Sequence, residues 1–254
     1  MDAREFYDEL GSEYDLMVSW EGRLAREEEF FRTLFDGHGV KRVLDAACGT
    51  GMHAIAFARQ GRSASGVDIS AEMIERAREN ARRSGVEVRW RVAGFGGIAP
   101  CFEGAFDAVT CLGNSLPHLL REEELVEALA DFARLLAPTG ILVIQNRNYD
   151  KVLRSPARAV HLNARPEPEG ETLFVRRTET RGGEAIDFSI LTLRKRGGAW
   201  TSSLATTPLR AITRETLLGA LSAAGFRTVE VFGDYSRAAY DAPGTGDMVA
   251  IASL

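Results

Sequence analysis

The sequence predicts an α/β fold, a doubly wound and mostly parallel seven-stranded sheet carrying an inserted three-stranded antiparallel flap. Three observations predict it. Apolar strand-like runs and helical patterns alternate five times in the first 145 residues or so, as in a parallel sheet covered on both faces. A Gly-x-Gly turn, Gly49-Thr50-Gly51, stands between the first run and its helix. After Tyr149 the pattern changes to alternating runs joined by Gly-Gly pairs.

The elements follow in order. Residues 4 to 35 read as helical, with Leu24, Phe31, Leu34 and Phe35 near one face, and Gly37 and Gly39 end the stretch. Arg42 to Ala46 is the first strand, followed by the glycine turn and a helix to about Arg59. Ser63 to Val67 is the second strand and ends in Asp68. Ser70 is positioned as the cap of the next helix, with Glu72 in its first turn, where a negative charge suits the dipole. That helix stops at Ser84-Gly85. Val86 to Val92 alternate as a third strand, with Val86, Val88, Trp90 and Val92 on one face. Phe106 to Leu112 is the fourth strand, Glu122 to Ala137 a helix, and Gly140 to Gln145 a fifth strand buried on both faces.

Pro156, Pro166 and Pro168 then mark an irregular stretch. Thr172 to Thr180, Ala185 to Arg194 and Trp200 to Leu209 read as three strands of a meander, joined at Gly182-Gly183 and Gly197-Gly198. Thr213 is placed to cap a helix from Arg214 to Ala224, and Val229 to Phe232 and Met248 to Ala252 complete the seven strands. Residues 1–150 and 212–254 thus form one α/β domain with N-terminal helices, and 151–211 a flap over the carboxyl ends of its strands.

Composition bounds the function. The 254 residues carry a net charge of −5, which argues against a general nucleic-acid binder. No apolar run reaches membrane-spanning length, and the acidic, aromatic N-terminus is unlike a signal peptide. Cys48, Cys101 and Cys111 are odd in number and not spaced as metal ligands, so no metal is expected and reduced thiols in a cytoplasm are the simplest account.

Ligands of such sheets lie beyond the carboxyl ends of the strands. Ala54 stands where a dinucleotide motif would have its third glycine, so a dinucleotide stays open. Asp45, before the turn, would repel a pyrophosphate but suits a cation. Asp68, 23 residues later, is placed for a ribose diol. A cationic nucleoside without phosphates fits these residues better, and S-adenosyl-L-methionine is such a molecule.

Asp45-Ala-Ala-Cys-Gly-Thr-Gly with Gly66-Val-Asp-Ile-Ser resembles the cofactor motif of class I S-adenosylmethionine-dependent methyltransferases, a Rossmann-like fold. The stretches Tyr14 to Arg23, Cys111-Leu-Gly-Asn-Ser-Leu-Pro-His118 and Arg147-Asn-Tyr-Asp resemble glycine N-methyltransferases and bacterial glycine/sarcosine N-methyltransferases. The resemblance implies methyl transfer to the amine of a small amino acid, with S-adenosylhomocysteine as product. It assigns Tyr14, Trp20, Arg23, Asp45, Ala47, Gly49, Thr50, Gly51, His53, Asp68, Ile69, Met73, Gly94, Phe95, Leu112 and Gly113 to the cofactor. Within that set Arg23 would pair with the carboxylate, Asp68 hold the ribose, Ile69 and Met73 flank the adenine, and the Leu112 backbone approach the sulfonium. Asn114, His118, Arg147 and Tyr149 would receive the acceptor, Arg147 through its carboxylate. These act by positioning, and no residue is expected to be strictly catalytic.

The sequence departs from the family in two places. Gly94-Phe95 replaces an Asn-Trp or Asp-Trp pair, and Ala205-Thr-Thr-Pro-Leu and Phe188 stand where tyrosines are expected. Another acceptor, methylated on nitrogen or oxygen, therefore stays open, as does homo-oligomerisation. Neither nucleic acid nor membrane is expected as a partner.

Overall fold

The computed structural model describes every residue except Ser12, Ser19, residues 155–158 and Glu169, so Pro156 lies outside the described residues. The first strand, β1 (Arg42–Ala46), pairs in parallel with β2 (Ser63–Asp68) and β4 (Phe106–Cys111). β3 (Arg89–Val92) extends the sheet beyond β2, and β5 (Leu136–Arg147) lies beyond β4. The late strands β10 (Thr228–Phe232) and β11 (Asp247–Ser253) finish it, giving the order β10-β11-β5-β4-β1-β2-β3. β11 alone runs opposite to the other six strands.

Two hydrophobic layers cover this sheet. On one side α6 (Glu122–Leu135) and α8 (Arg214–Ala223) pack Leu125, Leu129, Phe132, Leu217 and Leu221 against Leu142, Ile144 and Ala250. On the other, α3 (Trp20–Gly37) and α4 (Met52–Arg59) bring Phe31, Leu34, Phe35 and Phe57 onto Val43, Val143 and Val249. The strand order reverses between β1 and β4, and a crevice opens there at the carboxyl ends.

Helix α5 (Ala71–Ser84) starts as its sequence predicts, Ser70 Oγ accepting from Met73 N at 3.0 Å, and ends on Gly85 in the left-handed region. Thr213 likewise caps α8. The single helical stretch expected over 4–35 is instead three helices, α1 (Ala3–Leu10), α2 (Glu13–Met17) and α3. Gly11, at φ 40°, ends the first. The third strand is shorter than expected because it is an edge: Trp90 is buried, whereas Val92 is half exposed and Val86 and Val88 precede the pairing.

After α7 (Tyr149–Arg154) comes the flap, which has four antiparallel strands rather than three: β6 (Ala159–Glu167), β7 (Gly170–Gly182), β8 (Ala185–Arg196) and β9 (Ala199–Arg210). The added strand, β6, contains Pro166. A proline lacks the N–H a central strand needs, but β6 is an edge strand with pairing on one side only. The N-terminal segment joins the two sheets: Phe6, Leu10 and Met17 pack with Phe174, Ile190 and Ala205 of the flap's inner face.

Candidate active site

A cavity of about 260 Å³ occupies the crevice. The glycine turn forms its floor. Gly49 has φ 53°, a conformation that side chains disfavour, so the chain passes the cavity as bare backbone beside the Tyr14 ring. Gly51 serves packing: a Cβ on it would stand 2.6 Å from the Trp90 ring and 3.0 Å from Ala77.

Asp68 ends β2 beside this turn. Its Oδ2 accepts from Gly49 N at 2.8 Å and its Oδ1 from Ser70 N at 2.9 Å. Burial raises its pKa, an effect opposed by the N–H groups of Ser70, Gly49 and Ile69. Each oxygen keeps a lone pair for a diol. Asp45, by contrast, is buried under the turn. Its Oδ1 accepts from Thr110 Oγ1 at 2.8 Å, its Oδ2 has no partner, and burial raises its pKa as well.

The α3 helix supplies the cation at the other end. Arg23 Nε donates to Glu27 Oε1 at 2.8 Å, one helical turn on, and Glu27 Oε2 meets His53 Nε2 at 2.6 Å. Burial alone would raise the Glu27 pKa, but His53 and Arg23 hold it below its usual value. The guanidinium is thereby fixed at the rim, where a side chain on Gly113 would meet its terminal nitrogens at 3.6 and 3.7 Å. Trp20 is oriented by Asp15, which accepts from Trp20 Nε1 and Thr50 Oγ1 through one oxygen and from Asn80 through the other.

Tyr7 and His118 close the roof, Tyr7 Oη lying 3.1 Å from His118 Nε2. Burial pushes the His118 pKa down to about 4, so the ring is neutral at pH 7, and its Nδ1 has no partner.

Tyr14, Trp20, Arg23, Ala47, Gly49, Thr50, His53, Asp68, Ile69, Met73, Gly94, Phe95, Leu112, Gly113 and His118 all line the cavity. Asp45, Gly51, Asn114, Arg147 and Tyr149 do not. The last three gather beside it. Asn114, at φ 69°, accepts from Arg147 N through Oδ1 and donates from Nδ2 to Tyr149 Oη, both at 3.0 Å. Burial raises the Tyr149 pKa to about 12, against the lowering effect of Asn114.

Tyr7, Val18, Met52 and Ser115 also line the cavity and were not singled out from the sequence, nor were the buttresses Asp15 and Glu27. Glu27 had a legible signal, its i,i+4 spacing from Arg23. Among the described residues no group of three His, Cys, Asp or Glu side chains could hold a metal ion, and no helix is long and apolar enough to cross a membrane.

Comparison with known proteins fits this geometry. A methyltransferase domain family matches residues 43–140. The glycine/sarcosine N-methyltransferase of Parasynechococcus marenigrum is 32% identical over 237 residues, 92% of this chain and 80% of that protein. This chain belongs to the class I S-adenosylmethionine-dependent methyltransferases. The glycine/sarcosine N-methyltransferase of Aphanothece halophytica is 37% identical over 171 residues, but the chain spans only 64% of its length. The solved structure of an amino pentose methyltransferase from Micromonospora echinaspora, with S-adenosylmethionine bound, matches at a TM-score of 0.71 and 25% identity over 92% of both chains.

Proposed function

We propose that the chain is an N-methyltransferase that uses S-adenosyl-L-methionine to methylate the amine of a small amino acid such as glycine or sarcosine. The observation that carries the reading is the junction of Asn114, Arg147 and Tyr149 beside a nucleoside-sized cavity. The names of the relatives support nitrogen as the atom methylated.

The donor set fits this cofactor. Asp68 offers carboxylate oxygens to a ribose, Ile69 and Met73 offer apolar walls to an adenine, and Phe95 a ring face. Arg23, held by Glu27, offers a fork to a carboxylate, and Gly49 leaves room for the methionyl chain. When bound, the cofactor supplies a methyl group on a cationic sulfur.

The protein's part is alignment. Holding a nucleophile in line at about 3 Å removes roughly 7–11 kcal/mol of barrier. In this reading Arg147 binds the acceptor carboxylate through its guanidinium. Asn114, committed to Arg147 N and Tyr149, still has one amide hydrogen and one oxygen lone pair, and that lone pair favours an amine arriving with N–H groups to donate. An ammonium has no lone pair, so the neutral amine is the reacting form.

A charge-assisted bond is worth about 1.5–3 kcal/mol. Arg147→Ala should therefore raise the acceptor KM about 10- to 100-fold and leave the cofactor KM within threefold. The measurement is S-adenosylhomocysteine release with glycine, sarcosine and larger amines. Equal loss on both sides would overturn the assignment.

A further inference from the structure

Five of the seven described arginines of the flap strands are matched to a carboxylate. Arg177 pairs with Glu179, Arg181 with Asp187, Arg194 with Glu13, Arg196 with Glu167 and Arg210 with Glu184. Arg165 and Arg176 are the exceptions, and both lie on the inner face of the flap, the face that carries Phe174. Arg147 approaches that face from the end of β5. Its Nη1 donates to Thr178 Oγ1 at 2.9 Å, and its Nη2 lies 3.5 Å from His161 Nε2. His161 is the cross-strand partner of Arg176.

The Arg176 Nε is buried without a hydrogen-bond partner. Burial lowers the Arg176 pKa, and Arg147 and Arg165 push it the same way. Arg165 spends its Nε on the Leu16 carbonyl at 2.9 Å. Asp247, the carboxylate that senses Arg147, is held by Gln145 and makes no ion pair with any of the three. Three guanidinium groups thus converge half-buried, none of them in an ion pair with a carboxylate among the described residues. Removing such charges from water is costly unless something anionic pairs with them. One carboxylate would leave two of the three uncompensated. Arg176 also acts electrostatically on Tyr14, which lines the cavity, so the charge lies where an acceptor would reach the cofactor.

We propose that Arg147, Arg165 and Arg176 form one anion subsite at the seam of flap and sheet, and that the acceptor amine carries a dianionic end, either a second carboxylate or a phosphate monoester. The chemistry of the acceptor rests on the methyl transfer proposed above; the subsite itself does not.

Two measurements on the full chain keep these apart. Calorimetry with inorganic phosphate and with acetate tests the subsite alone. Phosphate should bind at least tenfold more tightly than acetate. Arg176→Gln should weaken it at least tenfold, and Arg176→Lys, which keeps the charge, by less. Equal binding of the two anions, or phosphate binding unchanged in a folded Arg176→Gln, would overturn the subsite. S-adenosylhomocysteine release with glycine, aspartate and O-phosphoserine tests the acceptor. Aspartate or O-phosphoserine should exceed glycine at least tenfold in kcat/KM, whichever leads identifying the anion, and Arg176→Gln should shrink that ratio at least tenfold. Glycine exceeding both would overturn the dianion. Arginine-dependent phosphate binding with no amine methylated would uphold the subsite and sink the methyl-transfer reading instead.

Discussion

His118 shows how one side chain ties the cavity to stability. Its pKa is held down to about 4 by burial, against an ordinary value of 6.5. On acidification the unfolded chain therefore takes up the proton first. The stabilising contribution is complete above pH 6.5 and is lost as the pH falls from there to about 4. By linkage the loss is about 2 kcal/mol between pH 7 and pH 5 and about 3 kcal/mol in all. Urea unfolding at pH 7 and pH 5 should show a loss of stability about 2 kcal/mol larger in the native chain than in His118→Gln, whose side chain does not titrate. The residues of the site were legible in unequal measure. Asp68 and Gly49 are spelled out by a local motif, because strand, turn and helix follow one another in sequence. Tyr7 is not: it reaches the cavity through a helix whose position depends on the flap, and nothing in its neighbours announces that contact.

Among the elements, the edge of the main sheet makes the sharpest demand on sequence. Trp90 of β3 packs over Gly66 and Gly51, so a methyl group on Gly66 would stand 2.3 Å from its ring and 3.0 Å from Cys48 Sγ. Gly66→Ala should cost about 1–3 kcal/mol, as overpacking does. Trp90→Leu should recover part of that loss in the double variant, and a coupling energy below about 0.5 kcal/mol in chemical denaturation would refute the contact. The strands with two neighbours were readable from their apolar runs, and β1 begins and ends where its sequence predicts. The edges were not. β3 loses its first three expected residues, Val86 to Val88, because only one side offers pairing, and β6 hides behind Pro166, a residue that an edge tolerates and a centre does not.

Across the whole molecule the N-terminal segment is the link between binding and flap. Phe6 is fully buried against Phe188 of the flap and its neighbour Tyr7, while Tyr7 and Tyr14 from the same segment line the cavity and Asp8 accepts from Ser70 Oγ. Loosening this wedge should therefore disturb the cofactor as well as the fold. Phe35, equally buried, sits in the layer between α3 and the sheet and packs on Phe31 and Phe57, away from the cavity lining. Truncating either phenylalanine to alanine should cost about 3–5 kcal/mol. Only Phe6→Ala should also weaken S-adenosylmethionine binding, by at least fivefold, measured by calorimetry well below the Tm of each variant. Phe35→Ala should keep its Kd within twofold of the native chain. A shared loss of affinity would mean that stability alone governs the cavity, and an unchanged Kd in Phe6→Ala would mean that flap and cofactor pocket are independent.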